Sequence, residues 1–166
     1  IRDPRGRTAL FIACAAGQRY TERPHPAEAE RFELARFLLS HGADPNTPDK
    51  FGATPLHEVA SNNDVELARI IVEEGTGADV NARDQYGSTP LHEACANGYP
   101  EIARFLLSHG ADPRITDQDG TDPLKLAQTR VWDPIWYSQR EELLDLFREF
   151  HPDLVMEKYV AGGLGL

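Results

Sequence analysis

The 166-residue sequence has little cysteine and no long apolar run, and both absences restrict what the protein can be. Two cysteines in a chain of this length do not make the disulfide scaffold that small secreted domains use. No apolar segment approaches the roughly 20 residues that a membrane span needs. We therefore expect an intracellular protein, nuclear or cytoplasmic, that does not contact a membrane.

Basic residues are scarce relative to acidic ones. The chain carries 27 Asp and Glu against 17 Lys and Arg, which gives a formal net charge of -10 at pH 7. Such a charge repels a long phosphate backbone, whereas it attracts a basic peptide or a basic protein surface. The charge balance argues against direct nucleic-acid binding and favours a basic protein partner.

The motifs of common catalytic and cofactor sites are also missing. HEVAS from His57 and HEACA from His92 begin like the HExxH zinc-protease motif. Ser61 and Ala96 stand where the second zinc ligand belongs. No Cys-His pair, nucleophile elbow or phosphate-binding loop is visible in the sequence. We expect no catalytic residues, no metal and no cofactor, so the chain is not predicted to be an enzyme.

What the sequence does contain is a repeat with a period of roughly 33 residues. FGATPLHEVASNNDVELARIIVEEGTGADVNARD from Phe51 aligns with YGSTPLHEACANGYPEIARFLLSHGADPRITD from Tyr86, with one two-residue insertion. RGRTALFIACAAG opens an earlier unit that ends in FELARFLLSHGADPNTPD. DGTDPLKLAQ opens a later unit that ends in EELLDLFREF. The chain therefore holds four repeats.

Each repeat is predicted to form two helices. In TPLHEAC, Thr89 can cap the first helix, and Pro90 suits the first helical position because that position needs no amide donor. Gly98, and Asn63 in the preceding repeat, suit the left-handed residue that ends this short helix. EIARFLLSHG then places apolar residues at helical spacing until Gly110 ends the second helix.

The TPLH box, the LLSHGADPN ending and the 33-residue step resemble the ankyrin repeat, from Asp3 to about Phe150. The resemblance implies an all-α ankyrin-repeat solenoid of four helix-turn-helix repeats with finger-like β-turns. It also implies that the TPLH histidines, His57 and His92, tie neighbouring finger backbones together. We expect one domain over 1–166, which looks excised from a longer protein. Its repeats are predicted at about 3–48, 49–83, 84–116 and 117–150, followed by a C-terminal extension at 151–166.

The first and last repeats carry insertions between their two helices. In the first insertion Pro24 and Pro26 stop any helix before them, so we expect the second helix to run from about Ala27 to Ser40. The last insertion contains VWDPIWYSQ, whose three aromatic residues are Trp132, Trp136 and Tyr137. Their combined apolar area is too large to leave uncovered in a soluble monomer. They either cap the end of the stack or form a secondary docking patch.

The resemblance implies a non-catalytic module that binds a protein or peptide on its concave face, between the fingers and the first helices. Phe51 and Tyr86 stand at equivalent turns, and Glu58 and Glu93 should point toward that face. An acidic groove with an aromatic rim suits an extended peptide that carries Arg or Lys. We expect a monomeric domain. The predicted partner-binding residues are Lys50, Phe51, Glu58, Asn62, Tyr86, Ser88, Glu93, Asn97 and Asp119.

Two other functions stay open. TPLHEAC with its glutamate also resembles a subset of ankyrin domains in chromatin proteins, including readers of histone tails. Those readers tend to carry Trp just before the TPLH box, where this chain has Ala53 and Ser88. A histone-tail reader or a subunit of a chromatin complex is therefore one alternative. The other is an intramolecular structural spacer that packs on further domains of the same polypeptide.

Overall fold

The computed structural model describes residues 1–15, 27–75, 77–129 and 134–154, with only the backbone of residues 27, 28 and 134–137. Within these ranges all regular structure is helical, which confirms the predicted all-α fold. The eight α-helices are α1 (Ala9–Ala15), α2 (Ala27–Ser40), α3 (Pro55–Ser61), α4 (Val65–Arg69), α5 (Pro90–Asn97), α6 (Pro100–Ser108), α7 (Pro123–Thr129) and α8 (Pro134–Phe150).

The helices form two parallel rows. The first helices of the repeats stack in the order α1, α3, α5, α7, and the second helices stack in the order α2, α4, α6, α8. The two helices of each repeat also pack against each other, so every repeat is stabilised by its neighbours as well as by itself. The buried apolar side chains of both rows form one continuous core along the array.

The ends of the helices follow the predicted signals. Thr54 and Thr89 precede first helices that begin at proline. Asn63 and Gly98 adopt left-handed φ angles of 56° and 71° after those helices, as their residue types predict. The second helix of the first repeat spans Ala27–Ser40, which confirms the predicted lengthening.

The lengthened part of α2 supplies a buried ion pair. Arg31 Nη2 lies 2.5 Å from Asp64 Oδ2, and both side chains are almost fully buried. Asp64 also caps α4, because its Oδ1 accepts a hydrogen bond from the Leu67 N–H over 3.0 Å. Since a buried charge without a partner is strongly destabilising, this pair fixes the first repeat against the second.

The second helix of the second repeat, the repeat with the two-residue insertion, ends in a wider turn. Ile70–Glu74 continue α4 as a π-helix, and the Gly75 N–H donates to the Ile70 carbonyl over 3.0 Å. A Cβ on Gly75 would lie 2.3 Å from the Ile71 carbonyl oxygen, so this wide turn requires glycine. Sequence reasoning located the insertion but not this conformation.

Asparagine side chains link the loops that follow the second helices. The Oδ1 of Asn46 accepts from the Asp79 N–H over 2.8 Å, and its Nδ2 donates to a carbonyl of the same neighbouring loop over 2.7 Å. Asn81 repeats both bonds one repeat later. Arg114 occupies this slot in the third repeat and instead pairs with Asp153 of the C-terminal segment.

The loops between the repeats form the predicted fingers. In each finger one aspartate accepts two backbone N–H groups; Asp84 Oδ1, for example, lies 2.9 Å from the nitrogens of both Tyr86 and Ser88. The equivalent aspartates are Asp3, Asp49 and Asp117. These carboxylates satisfy backbone N–H groups that have no regular backbone partner in a turn, so the aspartates have a structural role.

Adjacent fingers are joined by one backbone hydrogen bond at the same point in each. The Gln85 N–H donates to the Phe51 carbonyl over 2.8 Å, and the Gln118 N–H donates to the Tyr86 carbonyl over 2.9 Å. Gly52 lies at the first of these contacts with φ of 82°. A Cβ there would lie 2.8 Å from the Gln85 nitrogen. Position 52 therefore requires glycine for two reasons: a side chain would collide with the next finger, and the positive φ favours glycine.

We expect Gly52→Ala to destabilise the array more than Gly110→Ala. Both glycines have positive φ, so each alanine costs about 1–2 kcal/mol of backbone strain. A Cβ at Gly110 meets nothing within 4 Å, whereas one at Gly52 meets the next finger and should cost roughly 1–3 kcal/mol more. Urea unfolding followed by circular dichroism measures both losses. Equal losses would contradict the close contact of the fingers.

Candidate protein-interaction surface

Two buried histidines fix the first helices against the following fingers. His57 Nδ1 lies 3.1 Å from the Thr54 nitrogen, and since a backbone N–H can only donate, Nδ1 is the acceptor. Nε2 therefore carries the proton and donates to the Ser88 carbonyl over 3.0 Å. His92 repeats this arrangement one repeat later, 3.1 Å from each of its two backbone partners. This confirms that the histidines tie neighbouring fingers together.

Burial lowers the pKa of both imidazoles below the ordinary 6.5. The hydrogen bond from Nε2 to a carbonyl opposes this shift at His57 and at His92, as do nearby carboxylates such as Asp84 and Asp117. Desolvation is the larger effect, and protonation of Nδ1 would also remove the acceptor of a buried backbone N–H. Both rings are therefore neutral structural groups at neutral pH.

Phe51 and Tyr86 are exposed on adjacent fingers, as their positions in the repeat predict. Their side chains are 44% and 61% exposed. The two rings differ in one respect that the sequence did not reveal: Lys50 Nζ lies 5.3 Å from the centroid of the Phe51 ring. Because a cation of the chain itself already lies over Phe51, Tyr86 is the stronger candidate for contact with a cationic partner.

Glu58 and Glu93 occupy equivalent positions on α3 and α5, and both are half-buried. Asn62 Nδ2 donates to the Glu58 carboxylate over 3.1 Å. Asn97 Nδ2 instead donates to the backbone carbonyl of Glu93 over 2.9 Å. The two asparagines are thus partly engaged within their own helices, one orienting a carboxylate and the other capping a carbonyl. That the carboxylates face the concave side stays a prediction.

The same slot is apolar in the outer repeats. Ile12 occupies it on α1 and is exposed, and Leu126 occupies it on α7 and is half-buried. The two carboxylates are therefore confined to the middle repeats and flanked by aliphatic side chains. Sequence reasoning did not include Ile12 in the candidate surface, although the alignment of TALFIAC with TPLHEVA places it there.

The remaining predicted residues are distributed unevenly. Asp119 is exposed at the tip of the finger before α7, whereas Ser88 is half-buried and its backbone is engaged with Asp84 and His57. Trp132 falls outside the described residues. The backbones of Trp136 and Tyr137 lie in α8, but their side chains are outside the description. The cap and docking-patch interpretations therefore both stay predictions.

The described residues also bear on chemistry and membranes. Within the four described ranges no three His, Cys, Asp or Glu side chains are grouped so that they could hold a metal ion. Cys14 and Cys95 are buried free thiols; burial raises the pKa of Cys14 to about 12, and that of Cys95 rises for the same reason. A helix long and apolar enough to cross a membrane is not found in this part of the chain.

Comparison with known families agrees with this geometry. A family model described as "Ankyrin repeats (3 copies)" matches residues 26–117, more than half of the sequence. The chain belongs to the ankyrin-repeat family. Ankyrin repeats generally mediate protein-protein interaction, and the family is generally a non-catalytic interaction module.

Curated relatives share only part of the chain. Over 70 residues it is 37% identical to ankyrin repeat domain-containing protein 13B of Mus musculus and of Homo sapiens, covering 42% of this chain and 9% of each relative. Over 49 residues it is 47% identical to E3 ubiquitin-protein ligase KEG of Arabidopsis thaliana, covering 29% of this chain and 3% of that protein. The chain thus spans less than a tenth of these relatives' lengths.

The buried imidazoles predict a specific pH dependence of stability. Because the pKa of His57 and of His92 is lower in the folded state than in the unfolded state, the unfolded chain binds more protons between those values. The free energy of unfolding should therefore fall as the pH drops through 6.5 and level off below the folded-state pKa. Urea unfolding between pH 8 and 5 measures this slope.

The contribution of each histidine can be separated by substitution. His92→Gln should reduce the slope, because it removes one of the two buried imidazoles. The pKa of the Asp3 and Asp153 carboxyls is lowered from 3.8, so their protonation changes the free energy of unfolding only at more acidic pH. That range lies outside pH 8 to 5, where the slope is measured. An unchanged slope in His92→Gln would contradict the neutral, buried imidazole.

Proposed function

We propose that this array binds a partner protein through a basic, extended segment that lies across the fingers and the first helices of its middle repeats. The supporting observation is the geometry of Tyr86. Its N–H is held by Asp84 and its carbonyl by the Gln118 N–H, yet its side chain is 61% exposed. An exposed aromatic on a fixed backbone loses little conformational freedom on binding, which is typical of residues that dominate interfaces.

The charge of the surface favours a cationic partner. Glu58 and Glu93 lie on the helices beneath the fingers, and the chain as a whole carries a net charge of -10. Attraction of this kind accelerates encounter and selects partners more than it adds raw affinity. The charge also changes sign along the row of fingers. Lys50 is exposed on the finger before α3, and Asp119 is exposed on the finger before α7. The cationic residues of the bound segment should therefore lie toward Tyr86 and Asp119.

The chromatin alternative is a narrower form of the same proposal. A histone tail is an extended basic peptide, so it fits the chemistry of this surface, but so do other basic segments. A spacer role makes the opposite prediction for this surface. If the array is only a spacer, substitution of Tyr86, Glu58 or Glu93 changes no partner's affinity. One binding experiment therefore distinguishes the two functions.

We expect Tyr86→Ala and the double variant Glu58→Gln/Glu93→Gln each to weaken binding of a fluorescent Arg/Lys-rich peptide by about tenfold or more. Fluorescence anisotropy measures the affinity, with a histone-tail peptide and a Glu-rich peptide run in parallel. Affinity for the basic peptides should fall as salt rises, because exposed charges are screened.

The matched control is Glu142→Gln, which removes an exposed carboxylate from α8 without touching the fingers. It should bind like the parent chain, and circular dichroism should confirm that all variants fold. Equal binding of the Glu-rich peptide, or unaltered affinity in the Tyr86 and glutamate variants, would overturn the proposal.

A further inference from the structure

The outer side of α2 carries two large apolar residues that are exposed. Leu34 is 46% exposed and Phe37 is 56% exposed, although both have the spacing and residue types of core positions. We call these two residues the α2 face. Residues in the same slots of the three later repeats are 0–6% exposed: Leu67, Ile70, Ile102, Phe105, Leu143 and Leu146. The later repeats differ in having the second helix of a preceding repeat packed beside them.

The opposite end of the array does not repeat this pattern. Arg148 is an exposed charged residue on α8, in the slot that Val72 and Leu107 fill in the inner repeats. A terminal repeat of a solenoid needs a polar outer side, and Arg148 supplies a charge on α8 where the inner repeats are apolar. α2 keeps core-type residues on its outer side, so that side has the composition of an inner interface.

Contacts between successive second helices of the array indicate what the α2 face would receive. The Arg69 guanidinium lies 5.7 Å from the centroid of the Phe105 ring, which is in the slot of Phe37. Arg36 reaches the carboxylate of Glu66 over 3.4 Å, and Glu66 is in the slot of Glu33. The arginine in this slot thus contacts an aromatic ring in one pair of repeats and a carboxylate in another.

Phe37 and Glu33 present the same pair of groups on α2. The Phe37 ring is exposed, and the side chain of Glu33 is 76% exposed while it contacts Arg36 of its own helix at 3.4 Å. This patch combines apolar area, an aromatic face and a carboxylate. It fits a helix that carries both aliphatic residues and arginine.

The segment before Asp3 supplies an independent indication. Arg2 Nη1 donates to the Pro48 carbonyl over 2.9 Å, and Arg83 Nη2 makes the equivalent bond to the Thr116 carbonyl over 2.8 Å. Arg2 is in the slot of Arg83, because each arginine directly precedes the aspartate of its finger, Asp3 or Asp84. It therefore makes the contact that this chain uses in a loop between two repeats.

We propose that the α2 face is an inter-repeat interface: it takes the second helix of a further ankyrin-type repeat, which precedes Ile1 in the same polypeptide and carries arginine in the slot of Arg69. The interface continues the row of second helices by one member. It buries Leu34 and Phe37 as their equivalents are buried, and its arginine contacts the Phe37 ring and Glu33.

The chain's own third repeat provides the probe. A second copy of residues 84–114 fused directly before Ile1 keeps the register, because Ile1 then takes the slot of Ile115. In the 166-residue chain, Phe37→Ala should lower the melting temperature by less than about 3 °C, since the ring is exposed. In the extended chain the same change should lower it by roughly 6 °C or more, because it then removes a buried ring.

Two further substitutions make the test specific. Arg104→Ala in the added copy should lower the melting temperature of the extended chain, and should do so less once Phe37 is alanine. Tyr86→Ala in the original third repeat, on a finger away from the interface, should change the melting temperature by the same amount in both chains.

Three results would overturn the proposal. A full loss from Phe37→Ala in the 166-residue chain would mean that the chain itself covers the face. A melting temperature that rises with protein concentration, together with a dimer in sedimentation, would assign the face to a second copy. Equal effects of Phe37→Ala in both chains, or an added repeat whose amides exchange as in an unfolded segment, would mean that the face does not accept such a helix.

Discussion

The array depends on a buried imidazole that joins each inner first helix to the next finger. His57 accepts from the Thr54 N–H and donates to the Ser88 carbonyl, so one side chain satisfies two backbone groups that belong to different repeats. A buried backbone group without a partner costs more than an ordinary hydrogen bond contributes, which makes the ring hard to replace. Since the same contact recurs at His92, the distance between fingers is set twice by the same chemistry.

That fixed spacing determines what the surface can do. Gly52 lies so close to the following finger that a Cβ there would be 2.8 Å from the Gln85 nitrogen, whose N–H donates to the Phe51 carbonyl. These backbone groups of the fingers are therefore used by the scaffold, and the exposed side chains are left for a partner. The exposed ring of Tyr86 is attached to a backbone whose N–H and carbonyl both already have hydrogen-bond partners.

The sequence predicted the parts of the structure that local signals specify. Thr89 and Pro90 mark a helix start, Gly98 marks its end, and the prolines before Ala27 mark the beginning of α2. The π-helix before Gly75 could not be predicted, because a two-residue insertion can equally lengthen a loop. Rotamers decide which side chains of different repeats come into contact, and whether a lysine lies over the ring of the next residue. Residue patterns do not fix those rotamers.

The proposed partner surface and the α2 face lie in different rows of the array. Tyr86 projects from a finger, and Glu93 lies on a first helix, whereas Phe37 lies on a second helix at one end. In a solenoid each repeat contacts mainly its neighbours, so a repeat added before the first stabilises the first repeat most and the more distant repeats less. A helix on the α2 face therefore leaves the fingers around Tyr86 unchanged, and both surfaces can be occupied at once.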